Sequence, residues 1–237
     1  MRRIIAVTTL AIALIFGCAQ GAMWQFDRYQ VRHANNELIR KNISLPALEE
    51  ESLKSLLQSQ IAFRKVILTG SFQPENEILV RNRYFEGKYG FGVLTLFKSI
   101  TGKTYWVDRG WVIAGKDAQT PPRVQAVTNE SIDITAYARV ENLESQVRGS
   151  LIALPGKTSS QLQKWNAQTS LQTEPIYFDL ISVSNNSYNP TVPTSLPELS
   201  DGPHLAYSFQ WILFIFLVIL AWYLVIREDR KAQPEKL

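Results

Sequence analysis

The chain has 237 residues, 46% hydrophobic and 19% charged, with a net charge of +4. That charge is mild and comes without a dense Lys/Arg run, so the electrostatic footprint of a nucleic-acid binder is missing. One cysteine, Cys18, and two histidines exclude an intrachain disulfide and a Cys-based zinc or copper site. With the apolar ends set aside, roughly 180 residues remain, enough for one sizeable core.

Residues 4–23, Ile4 to Met23, carry no charge and follow Arg2 and Arg3. About 20 such residues cross the ~30 Å hydrocarbon layer as a helix. An uncleaved anchor, a signal peptide cut near Ala19-Gln20-Gly21, and a lipoprotein signal acylated at Cys18 all use this kind of segment. The run exceeds the ~7–15 residues of a signal core. Phe16-Gly17 suits a lipid-attachment box poorly, so the anchor is the preferred reading. Residues 24–60 read as a helical extension and a short amphipathic helix. Trp24, Arg28 and Arg32 recur at i+4 and share a face. Pro46 breaks the pattern, and residues 47–60 then place acids early and Lys54 late, as a helix dipole prefers.

From residue 61 to 183 the period changes to two. In residues 64–72, Val66, Leu68, Gly70 and Phe72 alternate with Lys65, Ile67, Thr69 and Ser71. In residues 131–140, Ile132, Ile134, Ala136, Ala138 and Val140 alternate with Asp133, Thr135, Tyr137 and Arg139. Such alternation marks strands buried on one face. EILVRNRYF, FGVLTLFKSI, KTYWVDRGWVI and EPIYFDLISVS read as further strands, with Gly-containing turns such as FEGKYG and ITGK between them. About six closely spaced strands predict a mostly antiparallel sheet or small barrel.

Residues 184–203 hold four of the eleven prolines and many Ser and Asn, and read as a tether. Residues 205–226 are a second uncharged span, followed by a tail, 227–237, with Arg227, Arg230, Lys231 and Lys236. Between Trp165 and His204 there is no Lys or Arg. The basic tail therefore predicts cytoplasmic termini, with the central domain in the opposite compartment. The fold class expected is a membrane-anchored α+β protein, two transmembrane helices framing a β-rich domain.

Motifs of enzymes are missing: G-x-S-x-G, a P-loop, H-E-x-x-H, and G-x-G-x-x-G after a strand. GKYGFG, residues 87–92, lacks the closing Gly-Lys-Ser/Thr of a phosphate loop and reads as a turn. Carboxylates such as Asp108 and Asp133 occur singly. No enzymatic activity is expected. Arg109 lies beside Trp106 and Trp111, and Arg81 and Arg83 lie near Tyr84 and Phe85. Guanidinium forks bind carboxylates bidentately, and they equally form ordinary salt bridges or stack on rings. His204 opens the second span, with Tyr207, Trp211 and Trp222 following at i+3, i+7 and i+18 along one stripe. An imidazole above aromatic rings at a membrane boundary fits two roles, a heme-iron ligand or a member of an interfacial aromatic belt. His33 lies off the Trp24 stripe and reads as a surface residue.

Five stretches in chain order resemble the surfeit locus protein 1 family of membrane-anchored cytochrome c oxidase assembly factors. They are Trp24-Gln25-Phe26-Asp27-Arg28; Val66 to Phe72; Gly90 to Leu96; Asp108-Arg109-Gly110-Trp111-Val112; and His204 to Trp211. Val31 and Arg32 depart from the family's usual Trp-Lys, Leu96 or Phe97 from its usual Pro, and Asp108 from its usual Asn.

The resemblance implies a role in maturing the heme a-containing subunit I of cytochrome c oxidase in the inner (plasma) membrane. The main domain would be periplasmic or otherwise extracytoplasmic. Heme a is the implied transient cofactor, with His204 as axial ligand to its iron. Trp24, Tyr207 and Trp211 are then candidates for ring contacts, and Arg28 and Arg109 for propionate contacts. Subunit I, the heme a synthase and membrane lipids are the expected partners, and nucleic acid is not. A cofactor-free scaffold for the subunit I precursor or the synthase is the alternative expectation.

Overall fold

The computed structural model describes residues 2–117, 120–140 and 161–231. The last part of the expected tail, residues 232–237 with Lys236, lies outside the described residues, as do residues 118–119 and 141–160 of the β-rich segment. The chain divides into two compact units, one of Met1–Glu37 with Leu199–Leu237 and one of Leu38–Glu198.

The first unit is a pair of helices. Helix α1, Arg2–Ser44, has 43 residues, of which those up to Glu37 belong here. Its partner, numbered α4 in chain order, is His204–Lys231, 28 residues. At 1.5 Å per residue they measure about 65 Å and 42 Å. Both are long and apolar enough to cross a membrane. Among the buried and half-buried positions of α1 are Thr8, Ala11, Ile15, Cys18, Ala22, Gln25, Tyr29, Arg32 and Asn36, spaced three and four apart. His204, Ser208, Trp211, Ile215, Val218, Trp222, Ile226 and Asp229 are their counterparts on α4. This spacing defines an antiparallel seam, with small residues on α1 admitting large ones from α4. Polar contacts run its length: Arg3 pairs with Asp229 at 3.1 Å, the Trp222 indole donates to Thr8 Oγ1 at 3.1 Å, and the Ser208 hydroxyl donates to the Ala22 carbonyl at 3.0 Å.

The second unit is a closed barrel of five strands: β2 (Lys65–Phe85), β3 (Lys88–Ser99), β4 (Thr104–Ile113), β5 (Ile132–Val140) and β6 (Ile176–Val183). The order is β2-β3-β4-β6-β5, and β5 returns to β2. All pairings around the barrel are antiparallel except β4 with β6, which is parallel through Val107↔Phe178 and Asp108↔Asp179. The expected mostly antiparallel sheet or small barrel is thus a small barrel with one parallel pairing among its described strands.

The two strands that periodicity separates, 64–72 and 77–85, are one continuous strand. Register shifts between Gln73 and Glu77 and between Val80 and Arg83 bend it. Pro74, which has no N–H to give a ladder, sits in the first. At Gly70 the strand is paired to both β5 and β3, and a Cβ there would lie 2.2 Å from the Lys98 carbonyl oxygen. Barrel closure therefore requires glycine at that position.

The interior is filled by Val66, Leu68, Phe72, Phe97, Tyr105, Val107, Ile134 and Phe178, all buried. Phe72 meets Phe97, and Tyr105 meets Phe178, edge to face at 5.2 and 5.1 Å. Leu94, Leu96 and Trp106 project to the opposite face, where helix α3, Gln161–Thr169, covers them with Leu162 and Trp165.

The amphipathic helix expected within residues 47–60 is instead a two-residue strand β1 (Leu48–Glu49) parallel to β2, a 3₁₀ turn Glu50–Lys54, and a single turn α2 (Gln58–Ile61). The cause is Glu50. It is buried, and its carboxylate accepts from Ser99, from Thr101 Oγ1 at 2.7 Å and from the Tyr105 hydroxyl at 2.9 Å. Three hydroxyl bonds to a carboxylate outweigh the dipole preference that made this acid read as a helix start. The proline-rich segment expected as a tether is packed along part of its length: the Trp111 N–H donates to the Val192 carbonyl at 2.8 Å.

Candidate functional site

The seam of the helix pair brings three residue pairs together in antiparallel order. At Gly21 the approach is so close that a Cβ would lie 2.8 Å from the Trp211 ring. Next, Ala22 accepts from Ser208. One step further, Gln25 Oε1 meets His204 Nδ1 at 2.9 Å, with both residues half-buried. His204 stands in the first turn of α4, after Gly202, whose φ of +68° suits glycine.

Beyond His204 the strap is tied down. Arg32 Nε donates to the Ser200 carbonyl at 2.7 Å, Asn36 donates to Asp201 Oδ1 at 2.7 Å, and His33 Nδ1 meets Asp201 Oδ2 at 2.8 Å. His33 also stacks on Tyr29 at 5.5 Å. Of the two histidines, His33 has its ring fixed by a carboxylate. His204 is fixed by a neutral amide at one nitrogen, and its Nε2 has no hydrogen bond among the described residues. A neutral imidazole nitrogen is the donor type that heme iron takes.

Of the other residues singled out from sequence, Trp211 lies in the seam against Gly21. Trp24, Arg28 and Tyr207 lie on exposed faces, and the Arg28 guanidinium sits over the Trp24 ring at 5.7 Å. Arg109 belongs to the barrel unit. It is buried, donates to Glu77 at 3.0 Å and Thr95 at 3.3 Å, and lies over Phe72 at 5.6 Å. Burial lowers its pKa, and the Glu77 carboxylate opposes that shift. That pairing engages the guanidinium within the barrel unit. Gln25 falls within the first stretch of family resemblance without being singled out there, and Gly21 is marked only by the spacing of small residues along α1.

The barrel has its own polar positions. Burial raises the Asp108 carboxyl above its ordinary value, against the opposing effects of Arg83 at 3.6 Å, the Gly110 N–H at 2.9 Å and the Thr194 hydroxyl. Cavities of about 100 and 130 Å³ lie beside Asp108 and Arg109. Both are below the roughly 300 Å³ at which small-molecule sites begin, whereas an open cavity of about 1080 Å³ lies along Glu77, Arg81, Tyr89, Phe91 and Gly115. Among the described residues no three His, Cys, Asp or Glu side chains cluster as a metal site.

The described residues thus combine a small mixed β-barrel with two terminal helices long and apolar enough to cross a membrane, the architecture of a membrane-anchored β-domain protein. Comparison with known proteins is specific. Residues 12–216 match the model of the SURF1 family, and the chain belongs to that family. The chain is 28% identical to an uncharacterised SURF1-like protein of Mycobacterium bovis, over 98% of its own length and 87% of the relative's. It is 23% identical to SURF1-like proteins of Rickettsia felis, over 95% and 96% of the two chains, and of Rickettsia bellii, over 88% and 84%. The family is linked to assembly of cytochrome c oxidase and is not known as an enzyme family.

Proposed function

We propose that this protein holds heme a transiently during assembly of cytochrome c oxidase and yields it to subunit I. The observation that carries this reading is His204, a half-buried imidazole at the mouth of an apolar helix pair, tied through one nitrogen among the described residues. Heme a is cargo, and its redox chemistry belongs to the finished oxidase. The chain's residues bind and orient it. His204 supplies the axial nitrogen, Trp24, Tyr207 and Trp211 supply ring faces, and Arg28 supplies a cation for a propionate. The heme a synthase is the proposed donor. The helices cross the inner membrane with both termini cytoplasmic, so the barrel is extracytoplasmic, in keeping with the basic residues after the second span.

Co-expression with a heme a synthase, purification in mild detergent and reduced-minus-oxidised spectra test the reading. Heme a in the wild type and its loss in His204→Ala are expected. Heme retained by His204→Ala excludes the ligand role. A second reading, a cofactor-free scaffold for subunit I or the synthase, is favoured by the outward apolar faces of the helices. There Phe16, Phe209 and Phe216 are 66%, 63% and 64% exposed. Folded wild-type protein without heme, from a host rich in heme a, would support that reading instead.

A further inference from the structure

We propose that Gln25 is the positioning residue for His204, and that it selects the tautomer in which Nδ1 carries the proton and Nε2 the lone pair. The inference rests on the reading of His204 as a heme ligand and goes beyond it. An amide oxygen only accepts, so a hydrogen bond from Nδ1 to Gln25 Oε1 at 2.9 Å requires Nδ1–H. A neutral imidazole protonated at Nδ1 exposes a basic nitrogen at Nε2, the one farther from the helix backbone. Metal-binding imidazoles are oriented this way, their second nitrogen donating to an acceptor that fixes ring and tautomer.

The surroundings make this bond hard to avoid. The close contact of Gly21 with Trp211 and the Ser208–Ala22 bond fix the helix separation one turn away. The Arg32–Ser200 bond and the paired Asn36–Asp201 and His33–Asp201 contacts hold the chain leading into α4. Gln25 therefore faces His204 from a fixed distance. An amide also differs from a carboxylate at this place. A carboxylate partner pulls harder on the Nδ1 proton and makes Nε2 the stronger base. A neutral acceptor orients the ring without that added basicity, which suits a site that must release what it binds.

The full-length protein, labelled with 15N in its histidine rings and held in detergent without heme, gives two pairs of ring-nitrogen signals, one pair each from His33 and His204. The His204→Ala spectrum assigns them. The expected result is an Nδ1–H tautomer for His204 in the wild type, retained in Gln25→Glu and lost to Nε2–H or a mixture in Gln25→Leu. An Nε2–H tautomer in the wild type, or an unchanged signal in Gln25→Leu, overturns the inference, and neither depends on heme.

Heme a-loaded preparations supply the second readout. Gln25→Leu should weaken heme a retention roughly 10- to 100-fold, and Gln25→Glu should restore it with an iron–imidazole stretch at higher frequency. Equal retention and equal stretching frequency in all three overturn the role of Gln25. Heme retained after His204→Ala overturns the ligand reading itself, separately from the tautomer result.

Discussion

Gly110 and Val192 meet backbone to backbone. A Cβ on Gly110 would lie 2.2 Å from the Val192 carbonyl oxygen, and Gly110 has a φ of +106°. The next N–H, that of Trp111, donates to the same carbonyl. Glycine is thus required twice, by conformation and by space. Gly110→Ala should lower stability by about 2 kcal/mol or more, since backbone strain alone costs ~1–3 kcal/mol. Thermal unfolding in detergent should show the fall. An unchanged melting temperature would mean that residues 190–195 do not rest on β4.

The Arg109–Glu77 pair in the barrel should behave as a unit. Arg109 is the buried partner and Glu77 the more exposed one, so removing Glu77 strands the guanidinium charge and costs up to about 3–5 kcal/mol. Glu77→Leu should therefore destabilise more than the double change Arg109→Leu/Glu77→Leu. A double-mutant cycle on denaturant midpoints measures the coupling. Additive losses would count against the pair.

Alkali should act on the barrel through Tyr105. Burial first, and the Glu50 carboxylate second, raise its phenol well above the ordinary value of 10.0. The folded state thus holds the proton that the unfolded chain releases. Stability should be flat below pH 10 and fall as pH climbs from there toward the raised folded value. In Tyr105→Phe the slope above pH 10 should diminish, at a cost of about 1–2 kcal/mol for the lost hydrogen bond near neutral pH. Denaturation curves at several pH values separate the two effects.

Gly21 should set the separation of the helices. A side chain there must displace Trp211, whose ring lies within 2.9 Å of the Cβ position at two atoms. In a Cys18→Ala background, cysteines at Ala22 and Ser208 should cross-link readily. Gly21→Leu should cut that yield severalfold and, on the heme-binding reading, lower heme a retention in parallel. Unchanged cross-linking would place the control of spacing elsewhere on the seam.

Both apolar helices were legible because an uncharged run of that length has few other uses. β5 was legible because one of its faces lines the barrel, with Ile134, Ala136 and Ala138 buried beside exposed Asp133. Around Leu94, Leu96 and Trp106 both faces are covered, so alternation fades into a continuous apolar run. Helix α3 escaped notice because it buries only Leu162 and Trp165 among polar neighbours. Glu50 misled for an electrostatic reason: acids near a helix start are usually solvated, and this one is sealed under three hydroxyls. Gln25 stood within the Trp24–Arg28 stretch of resemblance, but its contact was illegible, since its partner is an imidazole 179 positions later.

That separation also sets a clock. Ribosomes add about 5–20 residues per second, so ~10–35 s pass between synthesis of Gln25 and of His204. During this interval α1 is in place while its polar seam positions, Thr8 and Gln25 among them, still lack α4. If the helix pair holds heme a as proposed, competence for that cargo arrives only with the last helix, and a product truncated before His204 cannot hold it.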